Sequence, residues 1–262
     1  MICHFLSFLS LPGRPLDNRK FFSAANECKS NCRYCFSKWE NYAKYSQFTC
    51  ETIDENDLII YPCCDGNIFD DSFNKLLADF LNLKNRTVIS ISTKNNISEE
   101  QMNKLVKIDK MLKSNNKGFL KLSVSFSCQS MINNIEQDTL IYSERLALIK
   151  SIIDRGLTYA TILKPLLPFI SIEEYKKIID DTVLLSSNYI IGGLYINRST
   201  DFFNEYNLKN YSIYEKTVTW AHGNPTWQYI EDTNMKNQIC DYILNSGGRF
   251  YDSDADFIMG VN

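Results

Sequence analysis

The segment Cys28-Lys29-Ser30-Asn31-Cys32-Arg33-Tyr34-Cys35 places three cysteines within eight residues of a 262-residue chain. Three residues separate the first pair of cysteines and two separate the second pair, so one compact loop can bring three thiolates to three corners of an iron-sulfur cubane. The fourth iron then has no protein thiolate and stays open to a small molecule. We therefore interpret the loop over residues 26–36 as a [4Fe-4S] site.

Two other interpretations of these cysteines remain open. A structural zinc site requires four ligands in tetrahedral geometry, and other side chains offer a fourth ligand: His4, Cys50, Cys63 and Cys64. The cysteines could also be buried structural thiols. Nine cysteines are an odd number and three of them share one loop, which favours metal or redox chemistry over a disulfide framework.

On both sides of this loop, apolar segments typical of strands alternate with segments of helical period. The strands are predicted at 19–25, 57–61, 87–93, 119–126, 158–163 and 189–197. The helices are predicted at 71–83, 98–112, 143–155, 171–184 and 232–244. Ser98 and Ser171 are each followed three residues later by Gln or Glu, which is the pattern of a capping box at a helix start.

This alternation predicts a parallel sheet, because parallel strands need long return connections. Six such units are too few for a closed eight-unit barrel, so we predict an α/β fold, a partial (β/α)6 TIM-type barrel. Its site is expected at the C-terminal strand ends. The barrel is assigned to residues 1–197. Residues 198–262 are expected to form a short C-terminal α+β extension that covers it, with Gly247-Gly248 as a turn near its end.

Charge and hydropathy limit the partners that we expect. The chain has 28 Lys plus Arg against 31 Asp plus Glu, a net charge of -3, so no global positive field attracts nucleic acid. The apolar opening lacks the basic residues and the cleavage site of a signal peptide. No apolar stretch reaches the roughly 20 residues that a membrane-spanning helix needs. We expect a soluble, cytoplasmic protein.

Several motifs resemble the radical S-adenosylmethionine (SAM) superfamily. Tyr34 directly precedes the third cysteine of the loop, which follows the first predicted strand, as in that superfamily. Beyond the loop, nearly the whole chain resembles the spore photoproduct lyase branch. The blocks that carry this resemblance are Val88-Ile89-Ser90-Ile91-Ser92-Thr93-Lys94, residues 119–127, Asn134-Ile135-Glu136, Ser143-Glu144-Arg145-Leu146, Gly156, Lys164-Pro165-Leu166-Leu167-Pro168 and, more faintly, Thr219-Trp220-Ala221-His222-Gly223.

The resemblance implies two cofactors, a [4Fe-4S] cluster on Cys28, Cys32 and Cys35, and SAM on the open iron. It also implies SAM-binding roles for polar and aromatic residues. Tyr34 would lie against the adenine or close the site, and Asp65 would accept the methionine ammonium. The remaining residues would contact the SAM carboxylate or ribose: Lys94, Ser125, Ser127 and Arg145. Arg145 could equally be a surface residue at a helix start.

The resemblance further implies that a cysteine after the second strand donates a hydrogen atom to the substrate radical. Cys63 and Cys64 occupy that place, although the family has two residues between its cysteine and the next Asp. Ordinary burial of both thiols is the alternative, and Cys128 is a weaker candidate donor. Phe36 stands where the lyase has a radical-transfer tyrosine, and Gln137 stands where the family usually has Pro. The lyase relay is therefore incomplete here.

Taken together, the resemblance implies an enzyme that reductively cleaves SAM to a 5'-deoxyadenosyl radical and abstracts hydrogen from a substrate. An external reductant of flavodoxin or ferredoxin type would supply the electron. DNA or a nucleotide is the substrate inherited from the lyase, and a small metabolite or a peptide is the alternative. A hypothesis of another class is a non-catalytic zinc or iron-sulfur redox sensor.

Overall fold

The computed structural model describes residues 18–55, 57–70 and 73–260. Its strands are β1 (Arg19–Phe21), β2 (Asn31–Cys32), β3 (Ile59–Tyr61), β4 (Thr87–Thr93), β5 (Gly118–Phe126), β6 (Glu136–Gln137), β7 (Thr158–Leu163), β8 (Asn188–Ile191), β9 (Leu194–Ile196), β10 (Ile213–Thr217), β11 (Thr226–Ile230) and β12 (Arg249–Tyr251). Its α-helices are α1 (Phe73–Leu81), α2 (Glu99–Ser114), α3 (Ile132–Ile135), α4 (Tyr142–Asp154), α5 (Ile172–Val183), α6 (Asp201–Glu205), α7 (Thr233–Asn245) and α8 (Asp254–Gly260). No helix among these residues is long and apolar enough to span a membrane.

Seven strands form one sheet in the order β1-β3-β4-β5-β7-β8-β12. Every neighbouring pair is parallel, with α1, α2, α4 and α5 in the connections. The predicted α/β fold, a partial barrel, is thus confirmed. The sheet has one strand more than the six predicted, because Arg249–Tyr251 follows the Gly247-Gly248 turn and pairs with β8. Strand β12 is only three residues long, which is too short for a recognisable strand pattern in the sequence.

The two faces of the sheet are covered differently. The main apolar core lies between the sheet and the helices and includes Ile89, Leu120 and Ile178. A smaller apolar cluster on the other face includes Ile59, Ile162 and residues of the terminal helix α8. In barrels of this type the helices lie outside the sheet, so the face that carries the second set is the concave one. The C-terminal helix therefore fills part of the barrel interior.

The predicted strand at 189–197 is two strands, which separate at Gly192-Gly193. A Cβ on Gly193 would lie 2.3 Å from the carbonyl oxygen of Ile230, so only glycine allows the chain to pass there. After this point β9 leaves the barrel and joins a three-stranded antiparallel sheet in the order β10-β11-β9. The domain boundary at residue 197 stays a prediction, and β9, just before it, pairs with β11 of the extension.

Candidate active site at the cysteine loop

Backbone pairing fixes the cysteine loop against the segment that follows β5. Strand β2 pairs with β6 in antiparallel register, so Cys32 lies opposite Glu136. The Arg33 amide donates to the Ile135 carbonyl at 2.9 Å. The Arg33 guanidinium also donates to both carboxylate oxygens of Glu205 on α6. The loop is thereby held from two sides.

Cys28 and Cys35 both lie close enough to Cys32 to affect its thiol electrostatically. Burial raises the pKa of the Cys32 thiol to about 11, and charges on Cys28 and Cys35 also raise it. The Lys94 ammonium lies 4.0 Å from Cys32 Sγ and lowers that pKa. In the part of the chain that the structure describes, no three His, Cys, Asp or Glu side chains are grouped closely enough to hold a metal ion. The donor chemistry, three thiols of one loop beside an ammonium group, still fits an iron-sulfur cluster with three protein ligands.

The carboxylate of Glu136 is the centre of a buried charge network beside Cys32. Arg145 donates to it at 2.6 Å, and Lys94 Nζ lies 3.4 Å from it. The Tyr34 hydroxyl donates to the same carboxylate. Although burial alone would raise it, Lys94, Arg145 and Tyr34 together hold the Glu136 pKa below its ordinary value. Sequence motifs assign Glu136 no role of its own, because only its contacts with Arg145, Tyr34 and Lys94 reveal one.

Tyr34, Lys94 and Ser127 meet at this network, as predicted residues of one site. Lys94 follows β4 and Ser127 follows β5, at the same C-terminal edge of the sheet. The Lys94 ammonium lies 5.1 Å from the centre of the Tyr34 ring. Ser127 lies near the Tyr34 hydroxyl, whose pKa is raised well above its ordinary value, chiefly by burial. Their predicted contacts with SAM stay predictions.

Arg145 has protein acceptors for its whole guanidinium. It is fully buried and donates to the carbonyl oxygens of Leu140 and Ser125 at 3.0 and 2.6 Å. Thr139 Oγ1, at 2.6 Å, and the Glu136 carboxylate accept its other hydrogen bonds. The interpretation of Arg145 as a surface residue is therefore wrong. Its predicted contact with the SAM carboxylate stays a prediction, and the structure ties the side chain to Glu136 instead.

Asp65 also lies at the C-terminal edge, but it belongs to a separate cluster. Its carboxylate accepts from the Ser23 hydroxyl at 2.5 Å, the Ala24 amide at 2.9 Å and the Tyr42 hydroxyl at 3.1 Å. The Tyr42 hydroxyl also lies near the Cys64 thiol. Burial raises the pKa of Cys64 to about 12, so the thiol keeps its hydrogen.

The remaining predicted residues have mixed surroundings. Cys63 is half-buried, and burial, followed by the charge of Asp65, raises the pKa of its thiol. The Ser125 hydroxyl donates to the Lys164 carbonyl at 3.0 Å, and Cys128 is fully buried. Among the alternative zinc ligands, His4 lies outside the described residues. Phe36 packs against aromatic rings, with centroids 4.8 to 5.6 Å away: Tyr42, Trp220 and Trp227.

Lys164 is a further cation at this edge that received no role from the sequence. It follows β7, and its ammonium donates to the Asp252 carbonyl at 3.0 Å. Burial, reinforced by the charge of Lys216, lowers the pKa of Lys164 to about 8. A Cβ on Gly192 would lie 1.9 Å from Lys164 Cε, so this glycine makes room for the lysine stem. Sequence alone does not show this proximity.

Comparison with known proteins identifies the fold but no sequence family. No protein-family model matches the sequence, and no curated protein matches it. Among solved structures, a Cys-to-Ser variant of spore photoproduct lyase matches 87% of this chain and 74% of its own, with a TM-score of 0.58 and 11% identity. The lyase complexed with dinucleoside spore photoproduct matches the same shares, with a TM-score of 0.54 and 12% identity.

A second enzyme gives a match of similar quality. Streptococcus suis SuiB bound to S-adenosylmethionine matches 89% of this chain and 49% of its own length, with a TM-score of 0.56 and 12% identity. At such identities the likeness is one of fold alone. The resemblance to spore photoproduct lyase that the sequence motifs indicated is thus confirmed for the fold: this chain has the partial-barrel fold of spore photoproduct lyase and SuiB.

Proposed function

We propose that this protein is a radical SAM enzyme, in which Cys28, Cys32 and Cys35 hold a [4Fe-4S] cluster. The observation that carries the proposal is the position of the cysteine loop, paired with β6 at the C-terminal edge of the sheet beside Lys94. Sites of chemistry in parallel barrels lie at this edge. When bound, the cluster and SAM together would supply the 5'-deoxyadenosyl radical that abstracts hydrogen from the substrate.

Within this proposal, the Glu136 network positions the loop and orients Lys94. Glu136 accepts hydrogen bonds from Arg145 and Tyr34. The half-buried Lys94 ammonium forms an ion pair with the same carboxylate at 3.4 Å, and an ammonium has three N–H donors, so it can also donate to a carboxylate of a ligand. The SAM carboxylate is the acceptor that we assign to it, and Ser125 and Ser127 would donate to the same group or to the ribose. Tyr34 would pack against the adenine.

Asp65 and the paired cysteines would serve the other part of the site. Asp65 would accept the methionine ammonium, exchanging one of its present donors for a charged one. Cys64 is the stronger candidate hydrogen donor, because its thiol contacts Tyr42 within the Asp65 cluster. Cys63 remains the second candidate. An external one-electron reductant of flavodoxin or ferredoxin type would complete the system, and we place the enzyme in the cytoplasm.

Anaerobic reconstitution with iron and sulfide, followed by SAM and dithionite, tests the proposal. We expect 5'-deoxyadenosine from the native protein and none from Cys32→Ala, because that variant lacks a cluster thiolate. Cys240→Ala is the matched control: Cys240 is also buried but lies on α7, outside the cysteine loop. If the native protein forms no 5'-deoxyadenosine, or if Cys32→Ala forms as much, the proposal fails.

Electron paramagnetic resonance separates this enzyme from a cluster or zinc protein that only senses redox state. If SAM binds the open iron, its addition shifts the signal of the reduced protein. An unshifted signal, or zinc in place of iron after purification, would favour the sensor. The substrate is proposed as a nucleotide or DNA, following the dinucleoside bound by the lyase. A small metabolite or a peptide is the alternative.

A further inference from the structure

A cavity of about 510 Å³ lies beside the edge strand β1, and residues from both faces of this strand line it. Arg19 and Phe21 line it, and alternation along a strand places both side chains on the same face. That face is the concave one, because Phe21 stacks on Tyr61 of the concave cluster with ring centroids 4.7 Å apart. A volume between about 300 and 1,000 Å³ is typical of small-molecule sites.

The far wall of the cavity comes from the C-terminal extension. Thr219 and Asn224, which flank the turn between β10 and β11, line it. The Arg19 guanidinium reaches across and donates to Thr219 Oγ1 at 3.2 Å. The cavity is therefore closed by two segments that are 200 residues apart in sequence.

Arg19 carries a donor that no group among the described residues satisfies. Its Nε atom is buried and has no hydrogen-bond partner among the described residues. Buried donors are nearly always paired, and no carboxylate forms an ion pair with Arg19 in the described part of the chain. An acceptor of negative charge brought by a ligand would satisfy both the donor and the cation.

The same cavity has an aromatic wall. Phe21 and Tyr45 line it, with their rings nearly parallel and centroids 6.1 Å apart. His222, in the turn that carries Thr219 and Asn224, contacts the Tyr45 ring edge-on at 5.2 Å. Aromatic side chains of this kind pack against flat rings. An anion without a ring would leave this wall in contact with water.

The cavity adjoins the Asp65 cluster of the candidate site. The Tyr45 amide donates to Ser23 Oγ at 2.8 Å, and Ser23 Oγ donates to the Asp65 carboxylate. A molecule held against Tyr45 therefore lies next to the residues that neighbour Cys64. We propose that this cavity is the substrate-binding site, and that its ligand is a flat aromatic ring bearing an anionic oxygen group, held by Arg19. That the ligand is a substrate rests on the proposed function, whereas its binding to the cavity does not.

Titration of the full-length protein with phenyl phosphate, followed by nuclear magnetic resonance, tests the site without SAM, iron or reductant. Phenol and inorganic phosphate, the two halves of the probe, are titrated separately. We expect phenyl phosphate to bind more tightly than either half. In Arg19→Gln we expect the affinity to fall about 10- to 100-fold, the range of a lost hydrogen bond to a charged group. Equal binding of inorganic phosphate, or unchanged affinity in Arg19→Gln, would overturn the proposal.

Two further variants serve as a control and as a substitute for Arg19→Gln. Arg249→Gln removes an exposed arginine from the opposite edge strand β12, and its affinity is expected to stay native. If Arg19→Gln does not fold, Arg19→Lys keeps the charge but loses Nε, and we expect weaker binding there too. Benzoate and uridine 5'-monophosphate then distinguish a carboxylate ligand from a phosphate ester. If either one binds more tightly than phenyl phosphate, the result supports an aromatic anion as the ligand.

The two proposals fail separately. A protein that forms 5'-deoxyadenosine but does not bind phenyl phosphate refutes the cavity and leaves the radical SAM function standing. A protein that binds phenyl phosphate through Arg19 but does not cleave SAM leaves the binding site and refutes its role in that reaction. Binding at equal strength by native protein and Arg19→Gln refutes the site whatever the cleavage result.

Discussion

Two buried ion pairs flank the same strand, β5, and they differ in what surrounds them. Lys121, near the start of β5, pairs with Asp254 of α8 on the concave face. Arg145 pairs with Glu136 near the end of β5, where it also binds the Ser125 carbonyl. Asp254 is 16% exposed, whereas both side chains of the second pair have no exposed area. The second pair is therefore the more costly one to break.

The difference also concerns what each pair connects. Asp254 accepts from Lys121 and from Ser90 at 2.6 Å, so the first pair only fastens the terminal helix into the barrel. Glu136 accepts from Arg145 and Tyr34 and faces Lys94, so the second pair joins three segments at the cysteine loop. Two similar buried ion pairs therefore have different roles. The pair near the start of β5 stabilises the fold, and the pair near the end of β5 organises the candidate site.

The largest effect is expected for Glu136→Gln. This change leaves the fully buried guanidinium of Arg145 without a counter-charge, and breaking a buried pair in this way costs about 3–5 kcal/mol of unfolding free energy. Urea denaturation measures the loss. Glu40→Gln, at an exposed position shortly after the cysteine loop, should change the free energy by less than about 0.5 kcal/mol. A loss below about 1 kcal/mol for Glu136→Gln would contradict the network.

Lys121→Met should cost less, about 1–3 kcal/mol. Methionine retains most of the buried volume, and Asp254 keeps both its exposed edge and the Ser90 hydroxyl. The comparison of urea midpoints for Lys121→Met and Glu136→Gln ranks the two pairs directly. If Lys121→Met proves the more damaging change, the distinction drawn from exposure is mistaken.

Lys164 extends the comparison, because no carboxylate lies within 4.0 Å of its ammonium among the described residues. Its folded pKa of about 8 lies below the ordinary 10.5, so the unfolded chain binds the extra proton between these values. The contribution of Lys164 to stability therefore rises as pH increases from about 8 to about 10.5. We expect Lys164→Met to be more stable than native protein at pH 7, with the difference shrinking by pH 10. A difference independent of pH would refute this.

The sequence predicted the regular parts of this molecule because local signals agree there. Strands β4 and β7 have the predicted bounds, and the capping box of Ser98 and Gln101 forms at the start of α2. Of the capping box expected at Ser171, only one hydrogen bond forms, from the Glu174 amide to the Ser171 side chain. Its Glu174 carboxylate accepts from the amides of Gln129 and Ser130 instead, a contact between distant segments.

Long-range partners explain the other differences in the same way. The three cysteines were recognisable by spacing, but nothing in the sequence places Glu136 opposite Cys32, because that pairing joins strands of two residues each. The orphaned Nε of Arg19 likewise depends on a strand and a turn from opposite ends of the chain. Sequence motifs thus locate the cysteines that could bind a cluster. Only tertiary contacts show which polar side chains near the sheet keep an unpaired hydrogen-bond donor.

The smallest effect on stability is expected for Lys94→Met, although Lys94 faces the same carboxylate as Arg145. Its side chain is 20% exposed, and Glu136 keeps both Arg145 and Tyr34, so the loss should be below about 1 kcal/mol. Formation of 5'-deoxyadenosine should nevertheless fall at least about tenfold, because under the proposed function Lys94 donates a charged hydrogen bond to SAM that methionine cannot make. Lys104→Met, in an exposed pair with Glu100, should change neither quantity. If Lys94→Met and Glu136→Gln lose the same amount of stability, the role of Lys94 is to stabilise the fold and not to bind the cofactor.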